Sequence, residues 1–226
     1  APTPEKEQQS ERVKQFMNYY IGNVMEEYTP DMDQMLFFLP LAGSTFKKTY
    51  YDETLGRAVS KFVPAENLVV PYSTTDLETC PNITQVVRMP LNDLRKRQVA
   101  GVYLDVEVIP SQSELTSLSG EIDRIEGQDA NQIDYDCTIL ECHVDLDLEG
   151  YEDLDEEGEE TGIKVPYVVT ISEDNGQILS IRRNYREDDE LRKKIHYFTH
   201  FKFLPGFGFY GLGLIHTIGG LSRTAT

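Results

Sequence analysis

Acidic side chains that begin at Asp145 have the spacing of a calcium-binding loop. Asp145, Asp147 and Glu149 take the first, third and fifth places of such a loop, Gly150 takes the sixth and Glu156 the twelfth. Carboxylates at these places and a glycine at the sixth form the pattern of an EF-hand, in which oxygen atoms surround a calcium ion. The spacing therefore indicates calcium-dependent binding as one chemistry open to this chain.

The surroundings of this loop favour a solvated acidic segment over a metal site. Glu152 takes the eighth place, where an EF-hand has an aliphatic residue, and residues 142–148 alternate like a strand where the motif has a helix. Residues 145–160 contain ten acidic side chains and no Lys or Arg, which is not the composition of a packed core. We therefore expect an acidic insertion at residues 145–162 and no metal or cofactor. A calcium-dependent or other protein-binding module is the alternative function.

The segment GFGFYG, residues 206–211, has the spacing G-x-G-x-x-G that opens many dinucleotide sites. Such a site lies in a strand–helix–strand unit with an acidic residue that binds the ribose, whereas the sequence before it has the pattern of antiparallel hairpins. Nor does a lysine follow, as it does in a phosphate-binding P-loop. We therefore interpret the glycines as a tight aromatic-rich turn that redirects the chain into a helix beginning near Leu212.

The remaining groups that could react do not form a catalytic pattern. His196 and His200 are four residues apart without a third metal ligand at a suitable spacing, so we expect histidines of the core or of an interface. Cys137 and Cys142 have the wrong spacing for a zinc site and suit small buried positions, and Cys80 stands alone. No Ser-His-Asp arrangement can be argued. The sequence therefore predicts that the protein is not an enzyme.

Composition narrows the class of protein further. The 226 residues carry a net charge of −18, from 39 acidic and 21 basic side chains. This balance argues against a protein that clamps nucleic acid by neutralising phosphates, because such proteins need clustered Lys and Arg. The three cysteines favour a reducing compartment with free thiols. With neither a signal peptide nor an apolar run long enough for a membrane, we expect a protein made in the cytoplasm with no membrane partner.

Residues 29–70 contain the first of the predicted helices and strands that must position these residues. Thr29 followed by Pro30 predicts a helix start, apolar residues recur at helical spacing, and Gly43 predicts the helix end. Two β-rich runs, 45–51 and 57–63, follow with a glycine-containing loop between them, as in a hairpin. A helix that leads into a hairpin predicts an α+β fold in which an antiparallel sheet carries packed helices.

A second helix is predicted at residues 1–28, with Ser10 as its N-cap. Its apolar side chains step along one face: Val13, Phe16, Met17, Tyr20, Ile21, Val24, Met25 and Tyr28. The stripe is expected to pack on the sheet or on the helix that follows. The alternative is a subunit interface, for which Phe16, Tyr20 and Val24 are candidates.

The middle of the chain predicts further strands. A strand at 83–89 leads into a short helix at 90–97, whose basic cluster of Arg95, Lys96 and Arg97 is either a solvated face or a contact to an acidic neighbour such as the next subunit. Residues 111–132 have the polar composition of an insertion, with a possible helix at 121–125.

A long strand is predicted at residues 133–148, and its apolar positions change parity near Ile139. A β-bulge there would restore a single inward face. The dipeptide Asn175-Gly176 predicts a hairpin between strands at 165–171 and 178–185. One more strand is expected at 195–204, before the glycine-rich turn.

Two blocks of this sequence resemble the portal proteins of tailed bacteriophages. The first runs DMDQMLFFLPLAGSTFKKTYYDETLGRAVSKFVPAENLVVPYSTTDLETC and continues as ITQVVRMPLNDLRKRQVAGVY, and the second is HYFTHFKFLPGFGFYGLGLIHTIG at residues 196–219. With the helix that precedes them, the blocks cover most of the chain except the acidic insertions. The resemblance implies a wing-like α+β domain at 29–204 and, at 205–226, a glycine-rich turn and the start of a helix. It also implies an internal piece of a longer protein, truncated before the stem and clip.

The family resemblance further implies a function and partners. Portal subunits form a ring, usually a dodecamer, at one capsid vertex, and double-stranded DNA passes through its channel during genome packaging and ejection. By resemblance, the partners would be other copies of the chain, the terminase, the major capsid protein and the tail adaptor, and the location would be the virion after assembly in the host cytoplasm.

Overall fold

The computed structural model describes residues 3–108, 136–154, 158 and 160–225. Four α-helices and two antiparallel sheets lie in this part of the chain, so the predicted α+β class is confirmed. The helices are α1 (Pro4–Tyr19), α2 (Tyr28–Ala42), α3 (Leu91–Val99) and α4 (Leu214–Ala225). The strands are β1 (Ser44–Asp52), β2 (Arg57–Val63), β3 (Leu68–Val69), β4 (Ile83–Pro90), β5 (Asp136–Leu146), β6 (Val165–Ser172), β7 (Ile178–Arg183) and β8 (Phe198–Lys202).

The first of two compact units contains the chain up to Glu66, Tyr72–Cys80 and the chain from His196 onward. Its sheet has the order β2-β1-β8, and α2 packs on β1 and β2. The predicted hairpin is confirmed, since Asp52 pairs with Arg57 across its loop. Strand β8 adds to the other side of β1, where Ser44 pairs with Lys202. This pairing joins segments that lie far apart in the sequence.

Helix α1 differs from the prediction at both its start and its end, whereas α2 ends where it was predicted to end. Helix α1 begins at Pro4 rather than after Ser10, because a proline at the first position and acidic residues in the first turn already favour a helix start there. The Ser10 hydroxyl instead donates to the Glu7 carbonyl inside the helix. A π-helical turn, Tyr20–Val24, ends this helical segment, so it does not run unbroken to residue 28. Gly43 ends α2 as predicted, with a φ of 84° that only glycine adopts easily.

The second unit contains Asn67–Pro71 and Pro81–Ile195, and its sheet has the order β3-β4-β5-β6-β7. The predicted strand at 83–89, the short helix after it and the Asn175-Gly176 hairpin are all confirmed. The insertion at 111–132, its possible helix at 121–125 and the strand start at 133–135 lie outside the described residues.

The bulge predicted near Ile139 is wrong, because β5 pairs without interruption with both β4 and β6. No single inward face is needed, since both faces of the strand are covered. Cys137 and Ile139 join a buried cluster with Met89, Leu94 and Leu179. Side chains of the other parity, among them Val144 and Leu146, pack against the Val165, Tyr167 and Val169 cluster. The irregular register lies instead between β6 and β7, near Thr170.

Candidate interaction surface

Helix α1 presents an apolar stripe that the described part of the chain leaves uncovered. None of its residues is buried, and the exposed fractions are 55% for Val13, 60% for Phe16 and 46% for Met17. Among the described residues, the extensive contacts of this helix are with the adjoining π-helical turn. The stripe becomes covered only near its C-terminal end, where Tyr20 and Val24 are partly buried and Met25 is buried. The expectation that the whole stripe packs on the sheet or on α2 is therefore wrong for its first half.

Two side chains between α1 and α2, together with one from the first turn of α2, attach this part of the chain to the edge of the first sheet. The Ala58 backbone N–H donates to the Tyr20 hydroxyl at 2.9 Å, and the Phe62 backbone N–H donates to the Asp31 carboxylate at 2.9 Å. Arg57 donates to the Glu27 carboxylate at 2.9 Å. Strand β2 is the outer strand of its sheet, so these contacts satisfy backbone groups that an open edge would offer to another strand.

The anchor is also electrostatic. Burial would raise the pKa of Glu27, but hydrogen bonds from its own backbone N–H and from Arg57, together with the charge of Arg57, lower it overall. Beside it, Lys47 is only 5% exposed and its ammonium lies 3.9 Å from the centre of the Tyr28 ring. Burial lowers the pKa of Lys47, and the negative charges of Asp31 and Glu27 oppose that shift. The start of α2 is thus held to the sheet by charged groups on both sides.

The outer face of α2 is a second exposed apolar surface in this unit. Leu36 is 53% exposed, Phe37 is 68% exposed and Leu41 is 36% exposed. The opposite face points into the unit, where Met35 is buried and the Phe38 ring lies 5.7 Å from the Phe62 ring. A helix with one packed face and one bare apolar face is typical of a surface that another molecule covers.

The glycine-rich turn packs directly against the junction of α2 and β1. A Cβ added to Gly213 would lie 2.2 Å from the Leu41 carbonyl oxygen and 2.6 Å from the Gly43 nitrogen. Both are backbone atoms, so only glycine permits this approach. The turn leads into α4 at Leu214, close to the predicted helix start. In the described residues the turn thus contacts backbone at the junction, in agreement with a structural role for its glycines.

At the same junction, Ser44 and His200 form a pair that sequence spacing did not reveal. The Ser44 hydroxyl accepts a hydrogen bond from the Gly211 N–H at 2.7 Å and lies 3.1 Å from His200 Nε2. The His200 ring packs against Phe46 and Phe209, at centroid distances of 4.4 and 4.7 Å. Burial, together with the charge of Lys202, lowers the pKa of His200 to about 4. No local pattern could have found this pair, because the two residues are 156 positions apart.

The Ser44–His200 pair has the atoms of a nucleophile and a base, but the serine is not accessible to a substrate. Ser44 is only 1% exposed, and its hydroxyl already binds the Gly211 N–H. A catalytic serine needs a path for its substrate and a third group that orients the histidine. The pair therefore serves as a hydrogen-bonded link between β1, β8 and the glycine-rich turn.

The basic cluster at the end of α3 is largely engaged within its own unit. Arg95 donates to Asp105 at 2.7 Å, and Lys96 donates to Asp93 at 2.9 Å. Arg97 donates to the Tyr103 hydroxyl at 3.2 Å and lies over the same ring. Because the two exposed charges of Arg95 and Lys96 already face carboxylates, this cluster is a weaker candidate for a subunit contact than α1.

The acidic loop does not bring together a set of metal ligands in the part of it that is described. Asp145 lies within β5, opposite Pro166, and its carboxylate is 3.6 Å from the Lys194 ammonium. Asp147 and Glu149 are exposed, and Glu156 lies outside the described residues. No group of three or more His, Cys, Asp or Glu side chains that could hold a metal is found among the described residues.

A cavity of about 480 Å³ lies in the second unit near Tyr151. Arg183 and Arg192 line it, but Arg192 pairs with Asp153 and Arg183 pairs with Glu187 at 3.3 Å. These guanidinium groups are thus occupied by carboxylates of the same unit, and the lining offers no obvious anion site.

Comparison of the chain with protein-family models and with curated proteins found no match. Among the described residues, no helix combines the length and the apolar character needed to cross a bilayer. The exposed faces of α1 and α2 are therefore the surface on which a functional assignment depends.

Proposed function

We propose that this chain is a structural subunit of a bacteriophage portal ring, the channel at the capsid vertex through which double-stranded DNA is packaged and ejected. The partners in this proposal are further copies of the chain, the terminase, the major capsid protein and the tail adaptor. The protein would be assembled in the host cytoplasm and would remain in the virion. The chain would act through assembly rather than as an enzyme.

The observation that carries the proposal is the meeting of the two sequence blocks that resemble portal proteins. The first block supplies α2, β1 to β4 and α3, and the second supplies β8, the glycine-rich turn and the start of α4. Although residues 104–195 separate the two blocks, β8 pairs with β1 and Gly213 packs against the end of α2. The second block and most of the first block up to Cys80 thus lie in one compact unit, whereas β3, β4 and α3, which the first block also supplies, lie in the second unit.

Two further features support a ring through which DNA passes. The bare apolar faces of α1 and α2 suit a subunit that is covered by its neighbours. The net charge of −18 suits a surface past which DNA moves without being held, because tight binding requires phosphates to be neutralised.

The proposal is tested by the mass of the protein in solution, measured by light scattering over a range of concentrations, together with particle images. A closed ring of about a dozen copies with a central hole is expected, since a head-to-tail contact that closes gives a cyclic assembly. A monomer at every concentration, or an open filament, would contradict it. Repeating the measurement at high salt tells a specific ring from weak charge-driven association, because salt screens exposed charges.

A further inference from the structure

Helix α1 needs a partner to be stable as it stands. It spans 16 residues, none of which is buried, so tertiary packing contributes little to it. Isolated helices of about this length are marginal in water, and most helices in proteins depend on the packing of an apolar face. Because Tyr20, Glu27 and Asp31 fix the segment that follows it to β2, the base of the helix is held while its stripe stays open.

The charges around this stripe differ from those of the rest of the chain. Helix α1 carries three acidic and three basic residues, so it is neutral within a chain of net charge −18. Arg12 and Lys14 adjoin Val13 in the sequence and therefore lie on the two sides of the stripe, each about 100° around the helix. Lys14 is paired with Glu11 of the same helix at 3.4 Å, so Arg12 is the positive group beside the stripe that best suits an apolar surface carrying negative charge.

The outer face of α2 is a surface of that kind. Asp33 is exposed and lies three and four residues before Leu36 and Phe37, so the three side chains share one face of the helix. The helix contains acidic residues and no Lys or Arg. Its exposed leucine and phenylalanine side chains match the stripe of α1 in chemical character, and its charge is complementary.

From these observations we infer that α1 of one copy binds the outer face of α2 on a second copy. This inference rests on the proposed ring and names the contact that would join its subunits. The contact is head-to-tail, because two different surfaces meet, and repetition of such a contact closes into a ring or grows into a filament. A symmetric contact between two α1 helices is the competing arrangement, and cross-linking of Met17→Cys alone would reveal it.

Cysteine cross-linking tests which surfaces meet. A Met17→Cys chain is mixed with a Phe37→Cys chain under mild oxidation, with Cys142→Ser in both because Cys80 and Cys137 are the fully buried native cysteines. We expect a cross-linked dimer from the mixture. A mixture of Gln15→Cys with Phe37→Cys is the matched control, because Gln15 lies on the opposite side of the same helix, and it should give little product. No dimer from the first mixture, or equal dimer from Met17→Cys alone, would overturn the inference.

A pair of charge variants tests how much the contact contributes. Phe16→Glu places a carboxylate in the stripe, whereas Gln15→Glu adds the same charge on the other side of α1. We expect Phe16→Glu to weaken self-association of the full chain at least about tenfold and Gln15→Glu to leave it nearly unchanged. Equal effects of the two variants would contradict an α1 contact, as would a wild-type chain that stays monomeric.

Particle images of the same samples separate this inference from the proposed function. Closed rings that survive Phe16→Glu would overturn the α1 contact and leave the portal proposal standing. Oligomers that depend on Phe16 but never close would support the contact and count against the portal ring.

Discussion

Replacement of Gly213 by alanine should disrupt the place where the glycine-rich turn contacts the junction of α2 and β1. The added Cβ would lie 2.2 Å from the Leu41 carbonyl oxygen, 2.6 Å from the Gly43 nitrogen and 2.8 Å from the Ala42 carbonyl carbon. A flexible side chain could turn away from the new methyl group, but these three atoms belong to the backbone. The turn must therefore separate from the junction or the end of α2 must shift.

The size of the effect follows from the number and kind of these contacts. Forcing one methyl group into a packed site usually costs about 1–3 kcal/mol, and three backbone contacts at these distances place Gly213→Ala at about 3 kcal/mol or more. In a unit of roughly 100 residues, a loss of that size lowers the melting temperature by at least about 10 °C. Strand β8 depends on the same junction, because the Phe203 N–H donates to the Gly43 carbonyl.

The assay is thermal unfolding followed by circular dichroism, with Gly208→Ala as the matched control. Gly208 lies in the same turn, and a Cβ added there meets no atom within 4 Å. We expect the control to change the free energy of unfolding by no more than about 0.5 kcal/mol. Equal melting temperatures for the two variants would refute the close packing of the turn on the junction.

Three further predictions concern other contacts of the chain. Tyr20→Phe removes the acceptor of the Ala58 N–H and should cost about 0.5–1.5 kcal/mol in chemical denaturation, whereas Tyr19→Phe, beside it and exposed, should cost less than about 0.5 kcal/mol. The pKa of His200 is about 4 in the folded protein against 6.5 unfolded, so between these values the unfolded chain binds more protons and stability falls as the pH falls. After allowance for solvent screening, the free energy of unfolding falls by about 1–2 kcal/mol over this pH range. His200→Gln should abolish this dependence on pH. The same dependence in wild type and His200→Gln would refute the lowered pKa. Calcium should leave the melting temperature unchanged, because Asp145 lies in β5 beside Lys194; a rise that depends on calcium concentration would reveal binding to the folded state and favour the calcium-dependent module.

Local chemistry accounts for the elements that could be predicted from the sequence. Gly43 ends α2 because the backbone there needs a positive φ. The Asn175-Gly176 turn likewise needs a positive φ, which Gly176 provides. The hairpin of β1 and β2 follows from alternation and a glycine-containing loop. Such signals act over a few residues, so they can be read without knowledge of the rest of the fold.

The features that could not be predicted depend on contacts between distant residues. The division into two sheets depends on the pairing of β8 with β1, and the sequence of neither strand indicates which strand it pairs with. The parity change in β5 suggested a bulge, but a strand that is covered on both faces has no single inward parity to preserve. The Ser44–His200 link likewise exists only once both strands are paired.

The apolar stripe of α1 is another feature whose partner the sequence does not identify. Its helical periodicity was evident, and Phe16, Tyr20 and Val24 were candidates for an interface, but periodicity does not tell an intramolecular partner from an intermolecular one. The structure partly buries Tyr20 and leaves Phe16 60% exposed. Of the three candidates in the stripe, Phe16 is therefore the one with most surface left for another molecule.

The most direct test of the account is the mass of the assembled protein in solution, measured with particle images of the same sample. A single closed ring of about a dozen copies is expected at concentrations above the dissociation constant, and Phe16→Glu but not Gln15→Glu should abolish it. A wild-type protein that remains a monomer at the highest attainable concentration would contradict it.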